Sequence, residues 1–187
     1  MASQFPTVLG INAYHADSSA CLFIDGKLVA ASEEERFRRI KHWAGVPEMA
    51  IQHCLSVGDL AFSDIEHIAI SRNPGVRLRK KALYAARQLV RPTYLLSRIS
   101  SARRLTDFPA ELASRFSLAE KPEGMKFHQI EHHMAHSSSG YYPSPFDEAA
   151  VVSVDGMGDF CSTMVSHGSG AKIDTISTVE FPHSVGI

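Results

Sequence analysis

Four of the ten histidines fall within residues 128–136. Two of them, His132 and His136, stand four apart in a segment of helical character. That spacing puts both imidazoles on one helix face, about one turn apart, where they can chelate a single ion. His133 points elsewhere. No glutamate follows His132, so the zinc-protease form of such a pair does not fit. Asp155 ends the next apolar run, Glu148 to Val154. His132, His136 and Asp155 together make a two-histidine, one-carboxylate set with open positions, which suits iron, zinc or manganese. Ordinary packed or surface histidines are the alternative.

Two loops carry further polar chemistry. Asp155-Gly156-Met157-Gly158-Asp159 follows that apolar run. Glycines there let a ligand approach the backbone, whose N–H groups can cradle phosphate, and an aspartate can hold a divalent ion. A plain hairpin turn is the competing reading. Near the N-terminus, Asn12-Ala13-Tyr14-His15-Ala16-Asp17-Ser18-Ser19 is dense in hydrogen-bonding groups. Serine hydroxyls and backbone donors can bind phosphate there, with His15 as acid, base or charge stabiliser. Ser18 lies in no nucleophile-elbow sequence, which argues against a Ser-His-Asp hydrolase.

Elements must position these groups. Apolar runs at Thr7–Asn12, Ser19–Ile24 and Lys27–Ala31 predict strands, with Asp25-Gly26 turning the last two into a hairpin. The charge run Glu33 to His42 reads either as a solvated face or as a functional segment. Pro47 opens a helix through Leu55. Ile65–Ile70 predicts a strand, and Lys126–Ile130 another. A helix over Glu131–Tyr142 stops before Pro143. Strands are expected at Glu148–Val154, Cys161–Ser166 and Ile173–Phe181. Residues 71–115 hold 11 of the 19 basic residues and only two acids, and their apolar spacing predicts two helices interrupted at Pro92. They form either a solvated basic face or a surface for an anionic substrate or partner.

Composition sets the bounds. The 187 residues are 44% hydrophobic and 21% charged, with a net charge of −1. That excludes a disordered chain and gives no charge excess for nucleic acid or a membrane surface. No apolar run approaches the roughly 20 residues that cross a bilayer. No secretory signal is visible, and Cys21, Cys54 and Cys161 form no metal or disulfide pattern, so a cytoplasmic location is expected.

The order of elements is that of the actin-like ATPase fold, an α/β architecture of two ribonuclease H-like halves. INAYHADSSACL, DGKLVAASEEERFRRIKH, HHMAH and VVSVDGMGD, in that order, closely resemble the N-terminal part of the O-carbamoyltransferases. The resemblance runs from about Val8 to Ile187 and is weakest over 71–115. It implies a first half over 1–147 and an incomplete second half over 148–187, with the C-terminal YrdC-like domain absent. It implies transfer of a carbamoyl group from carbamoyl phosphate, through a carbamoyl-adenylate made with ATP, to the hydroxyl of a small-molecule acceptor such as a natural product or sugar. His132, His136 and Asp155 would hold a divalent metal, commonly iron. Asn12, Asp17, Ser18, Ser19 and Lys41, with Asp155, Gly156, Gly158 and Asp159, would bind nucleotide and donor. His15 would act near the carbamoyl group.

Members of that family run to several hundred residues, so the chain is expected to be a fragment or one piece of a split enzyme, inactive alone. Its expected partners are the acceptor alcohol and either the missing C-terminal part or a second copy, with no membrane or nucleic acid. A tRNA threonylcarbamoyl-type transferase or other actin-like ATPase, and a non-catalytic metal- or nucleotide-binding module, are the alternatives.

Overall fold

The computed structural model describes residues 5–87, 105–184 and 186. The chain divides into two compact units, Met1–Ser71 with Pro92–Gln129 and Arg72–Arg91 with Ile130–Ile187.

The first unit is built on a five-stranded sheet of order β3-β2-β1-β4-β5. β1 (Val8–Asn12), β2 (Ser19–Ile24) and β3 (Lys27–Glu33) form an antiparallel meander. Asp25 and Gly26, both at positive φ, make the β2–β3 turn. β4 (His67–Ile70) and β5 (Lys126–Gln129) then run parallel to β1. This mixed order, a hairpin followed by parallel crossovers, is that of a ribonuclease H-like half, and the fold is α/β as expected. Two short helices, α1 (Glu35–Arg38) and α2 (Glu48–Gly58), lie between β3 and β4. Leu9, Ile11, Leu22, Ile51, Ile68 and Ile70 fill the core with Leu105, Phe108 and Leu112 of the helix over 105–115, here α4. Each such buried side chain contributes about 1.5–3 kcal/mol of transfer free energy.

The second unit carries an antiparallel sheet of order β6-β7-β8. β6 is Glu148–Gly158, β7 Cys161–Ser169 and β8 Lys172–Glu180. α3 (Leu78–Arg87) and α5 (His132–Tyr141) belong to this unit. α3 has no buried residue, and Arg77 and Lys80 at its start pair with Glu131 and Glu180. The two helices expected over 71–115 are present as α3 and α4. The expected interruption at Pro92 lies outside the described residues.

The expected reading of Glu33–His42 needs one correction. Glu34 is no part of a solvated face: it is 0% exposed. Its carboxylate accepts from the N–H groups of Met49 (3.3 Å) and Ala50 (2.8 Å) and from Arg38 Nε (2.6 Å). Pro47, the residue before α2, offers no capping side chain, so Glu34 satisfies the first-turn amides from a distant point in the sequence. Lys41 and His42 are exposed. Glu34→Ala is expected to lower the stability of the chain by about 2–3 kcal/mol, because it strips hydrogen bonds to a buried charge. Urea unfolding measures this, and an unchanged midpoint would show that water replaces the carboxylate without cost.

Candidate functional site: a two-histidine, one-carboxylate cluster

α5 brings His132 and His136 onto one face, as their spacing requires. Asp155 comes to them from β6. Beyond Val154 the β6–β7 register breaks and resumes at the Gly158–Cys161 pair, so Asp155 sits in a bulge. A bulge turns a strand side chain away from strict alternation. The turn expected over Asp155–Asp159 is therefore strand almost throughout, and the reversal falls at Asp159 and Phe160, both at positive φ.

Three ligand atoms converge. His132 Nε2 lies 2.6 Å from Asp155 Oδ2 and 3.0 Å from His136 Nε2, and His136 Nε2 lies 3.8 Å from Asp155 Oδ2. All three fall within 4.8 Å of one another. One proton cannot satisfy two facing ring nitrogens and a carboxylate together. A cation can: the separations of 2.6, 3.0 and 3.8 Å bracket the roughly 3.0–3.4 Å between ligands about 2.1 Å from one ion. The residues present fit a divalent metal. Burial, with the charge of the adjoining His132 ring, holds His136 below the ordinary histidine value, which keeps it neutral and able to ligate. Burial pushes the Asp155 carboxyl up. The hydrogen bond from His132, the Gly156 N–H and the imidazole charges outweigh that and hold it below the ordinary carboxylate value.

The surrounding residues position the cluster. Glu131 precedes α5, and its carboxylate accepts from Met134 N (2.6 Å) and from Arg77 Nη1 (2.8 Å). Asp159 Oδ2 accepts from His132 N (3.0 Å) and Asn73 N (2.8 Å). Its carboxylate thus serves the start of α5. Gly158 has no side chain because the His132 ring occupies that space, and a Cβ there would overlap the imidazole. Gly156 offers its N–H to Asp155 Oδ1 at 2.6 Å. The sequence reading missed Arg77 and Asn73, for which local spacing gives no signal.

The N-terminal loop belongs to the first unit. Asn12 Nδ2 donates to the Asp17 carbonyl (2.9 Å), and Asn12 Oδ1 accepts from Ser71 Oγ (3.3 Å). Ser18 is buried, and its single hydroxyl proton faces the carbonyls of Gly45 (2.9 Å) and His15 (3.2 Å). Ser19 opens β2, paired with Asn12 and Glu33. His15 is half-buried at the loop tip. Asp17 Oδ1 meets His42 Nδ1 at 2.9 Å, and Glu35 Oε2 accepts from His42 N at 3.1 Å. Asp17, Glu35 and His42 form a second group of convergent ligand atoms, of which Asp17 and His42 are exposed. Spacing alone does not bring these three together, because Asp17 and His42 both take positive φ, which the sequence does not announce in non-glycine residues.

Residues 7–187 match the family model described as "Carbamoyltransferase N-terminus". The chain belongs to that family. Among curated relatives of this carbamoyltransferase N-terminal chain, sll1178 of Synechocystis sp. (strain ATCC 27184 / PCC 6803 / Kazusa), an uncharacterized protein, is 35% identical over 96% of the chain and 30% of its own length. Nodulation protein NolNO of Sinorhizobium fredii (strain NBRC 101917 / NGR234) is 30% identical over 94% of the chain and 25% of its own length. The chain spans less than a third of either relative. Among solved structures, YeaZ from Pseudomonas aeruginosa overlays with a TM-score of 0.46 at 11% identity, covering 95% of this chain and 68% of that one.

Gly158→Ala is expected to push the His132 ring out of its seat at a cost of about 1–3 kcal/mol, the usual range for overpacking a filled site. Urea unfolding of the metal-free variant measures it, and wild-type stability would show that the ring yields freely.

Proposed function

We propose that this chain supplies the metal- and nucleotide-binding portion of an O-carbamoyltransferase. The whole protein moves a carbamoyl group from carbamoyl phosphate, through a carbamoyl-adenylate made with ATP, to the hydroxyl of a small-molecule acceptor in the cytoplasm. The family match over residues 7–187 supports the reaction class. The single observation that carries the site is the convergence of His132 Nε2, His136 Nε2 and Asp155 Oδ2 within 4.8 Å.

His132, His136 and Asp155 hold the divalent metal, for which iron, zinc and manganese all suit imidazole and carboxylate ligands. When bound, the ion supplies positive charge that neutralises phosphate oxygens. Gly156 and Gly158 leave their own two positions in the bulge without side chains. Asn12, Ser18 and Ser19 hold the shape of the N-terminal loop, while Asp17 and Lys41 offer exposed polar groups to nucleotide or donor. His15 acts near the carbamoyl group. β1 leads into the N-terminal loop of the first unit, and β6 carries Asp155 in the second.

Metal content by mass spectrometry tests the site. The purified chain is expected to carry close to one equivalent of a divalent metal, lost in His132→Ala, His136→Ala and Asp155→Ala alike. Metal retained by all three variants would remove the cluster from the account.

A further inference from the structure

α5 is poorly supplied with apolar contacts for a helix that carries two metal ligands. The residues it buries are His133, Ser137 and Tyr141. The strands of its unit bury Ser153, Ser162, Thr163 and Ser166 beside Cys161 and Met164. The hydroxyls of Ser137, Thr163 and Ser166 are buried with no hydrogen-bond partner among the described residues. Small hydroxyl-bearing side chains permit close approach but do not interlock as branched apolar ones do. The rotation of α5 about its own axis is therefore fixed by directional bonds.

His133 makes two of them. It is 0% exposed. Its Nε2 lies 2.9 Å from the Cys161 carbonyl on β7, and its Nδ1 lies 2.8 Å from Ser153 Oγ on β6. A carbonyl only accepts, so Nε2 donates to Cys161, while Nδ1 pairs with the serine hydroxyl, which can donate or accept. The ring is thus bonded to both strands. Ser153 stands two residues before Asp155 on the same strand. His133 stands between His132 and His136 on the same helix.

We infer that His133, through Ser153 Oγ and the Cys161 carbonyl, is a positioning residue for the His132–His136–Asp155 cluster. The magnitudes show why such a pin matters. An imidazole nitrogen sits roughly 6 Å from the helix axis, so about 20° of helix rotation carries it roughly 2 Å. A metal site tolerates about 0.2 Å, which corresponds to roughly 2°. A ring bonded to both strands at mid-helix adds to the hold that Glu131, Asp159 and Tyr141 give the two ends of α5. Loss of such outer-shell support costs about 10- to 100-fold in metal affinity.

This inference rests on the proposed metal site, and the experiment separates the two. Cobalt(II) affinity and the visible cobalt spectrum are measured for the wild type, His132→Ala, His133→Leu, His133→Gln and Ser153→Ala, with circular dichroism as the check on folding. The expected result is a bound wild type, no binding in His132→Ala, and at least tenfold weaker binding with an altered spectrum in His133→Leu. His133→Gln, which keeps one donor and one acceptor, recovers part of the loss. Failure of the wild type to bind overturns the metal site and this inference with it. Wild-type affinity and spectrum in a folded His133→Leu overturn the inference alone. If His133→Leu does not fold, Ser153→Ala decides: several-fold weaker binding supports the pin, and unchanged affinity and spectrum overturn it.

Discussion

The His133 ring joins α5 to β6 through Ser153 Oγ and to β7 through the Cys161 carbonyl. The His132–His136–Asp155 cluster spans this same junction, because two of its members ride on the helix and the third on β6. The interface around the ring is unusually polar. Few branched apolar side chains interlock there to fix the helix's rotation. The hydrogen bonds of the ring supply direction. At the two ends of α5 the same device recurs: Glu131 and Asp159 accept the first N–H groups, and Tyr141 Oη donates to the Asp147 carbonyl at 2.7 Å.

The DGMGD segment serves the same end by a different physical route. Its first aspartate is turned toward the histidines by a strand bulge, and its last is drawn back to begin the helix that bears them. Between them, Gly158 leaves the space that the His132 ring fills. Ligand, seat and helix start thus come from five consecutive residues. The segment acts less as an open turn than as a strand end folded against a helix start. Its glycines answer first to packing.

Much of this was legible in the sequence, and the reasons differ by element. Short apolar runs and the Asp25-Gly26 dipeptide located β1 to β3 to within two residues, because strand composition and turn chemistry are both local. His132 and His136 were paired by helical periodicity alone, and Asp155 by its place after an apolar strand. The continuation of β6 through Asp155-Gly156-Met157-Gly158 was not legible: glycine and aspartate favour turns, and the pairing with β7 lapses after Val154 and resumes only at Gly158. Burial of Glu34 was equally hidden. A glutamate inside EEERFRR reads as solvated until a helix 14 residues later needs its carboxylate at an uncapped start. The tie of Asp17 and Glu35 to His42 escaped for the same reason, since long-range partners leave no mark on local composition.

In the first unit, polar groups are spent on shape as well. Ser18 and Gly45 bond each other through hydroxyl, amide and carbonyl, and Asn12 spans the loop neck. Asp17 and His42 bond each other at the surface of this unit, where Lys41 is exposed as well. The Asp17–Glu35–His42 group makes this unit a rival for any bound cation, but it offers one imidazole where the α5 cluster offers two. X-ray absorption on the metal-loaded chain counts imidazoles directly. Two imidazole ligands with oxygen completing the shell are expected, falling to one or none in His136→Ala. A single imidazole in the wild type, unchanged in that variant, would contradict the two-histidine site.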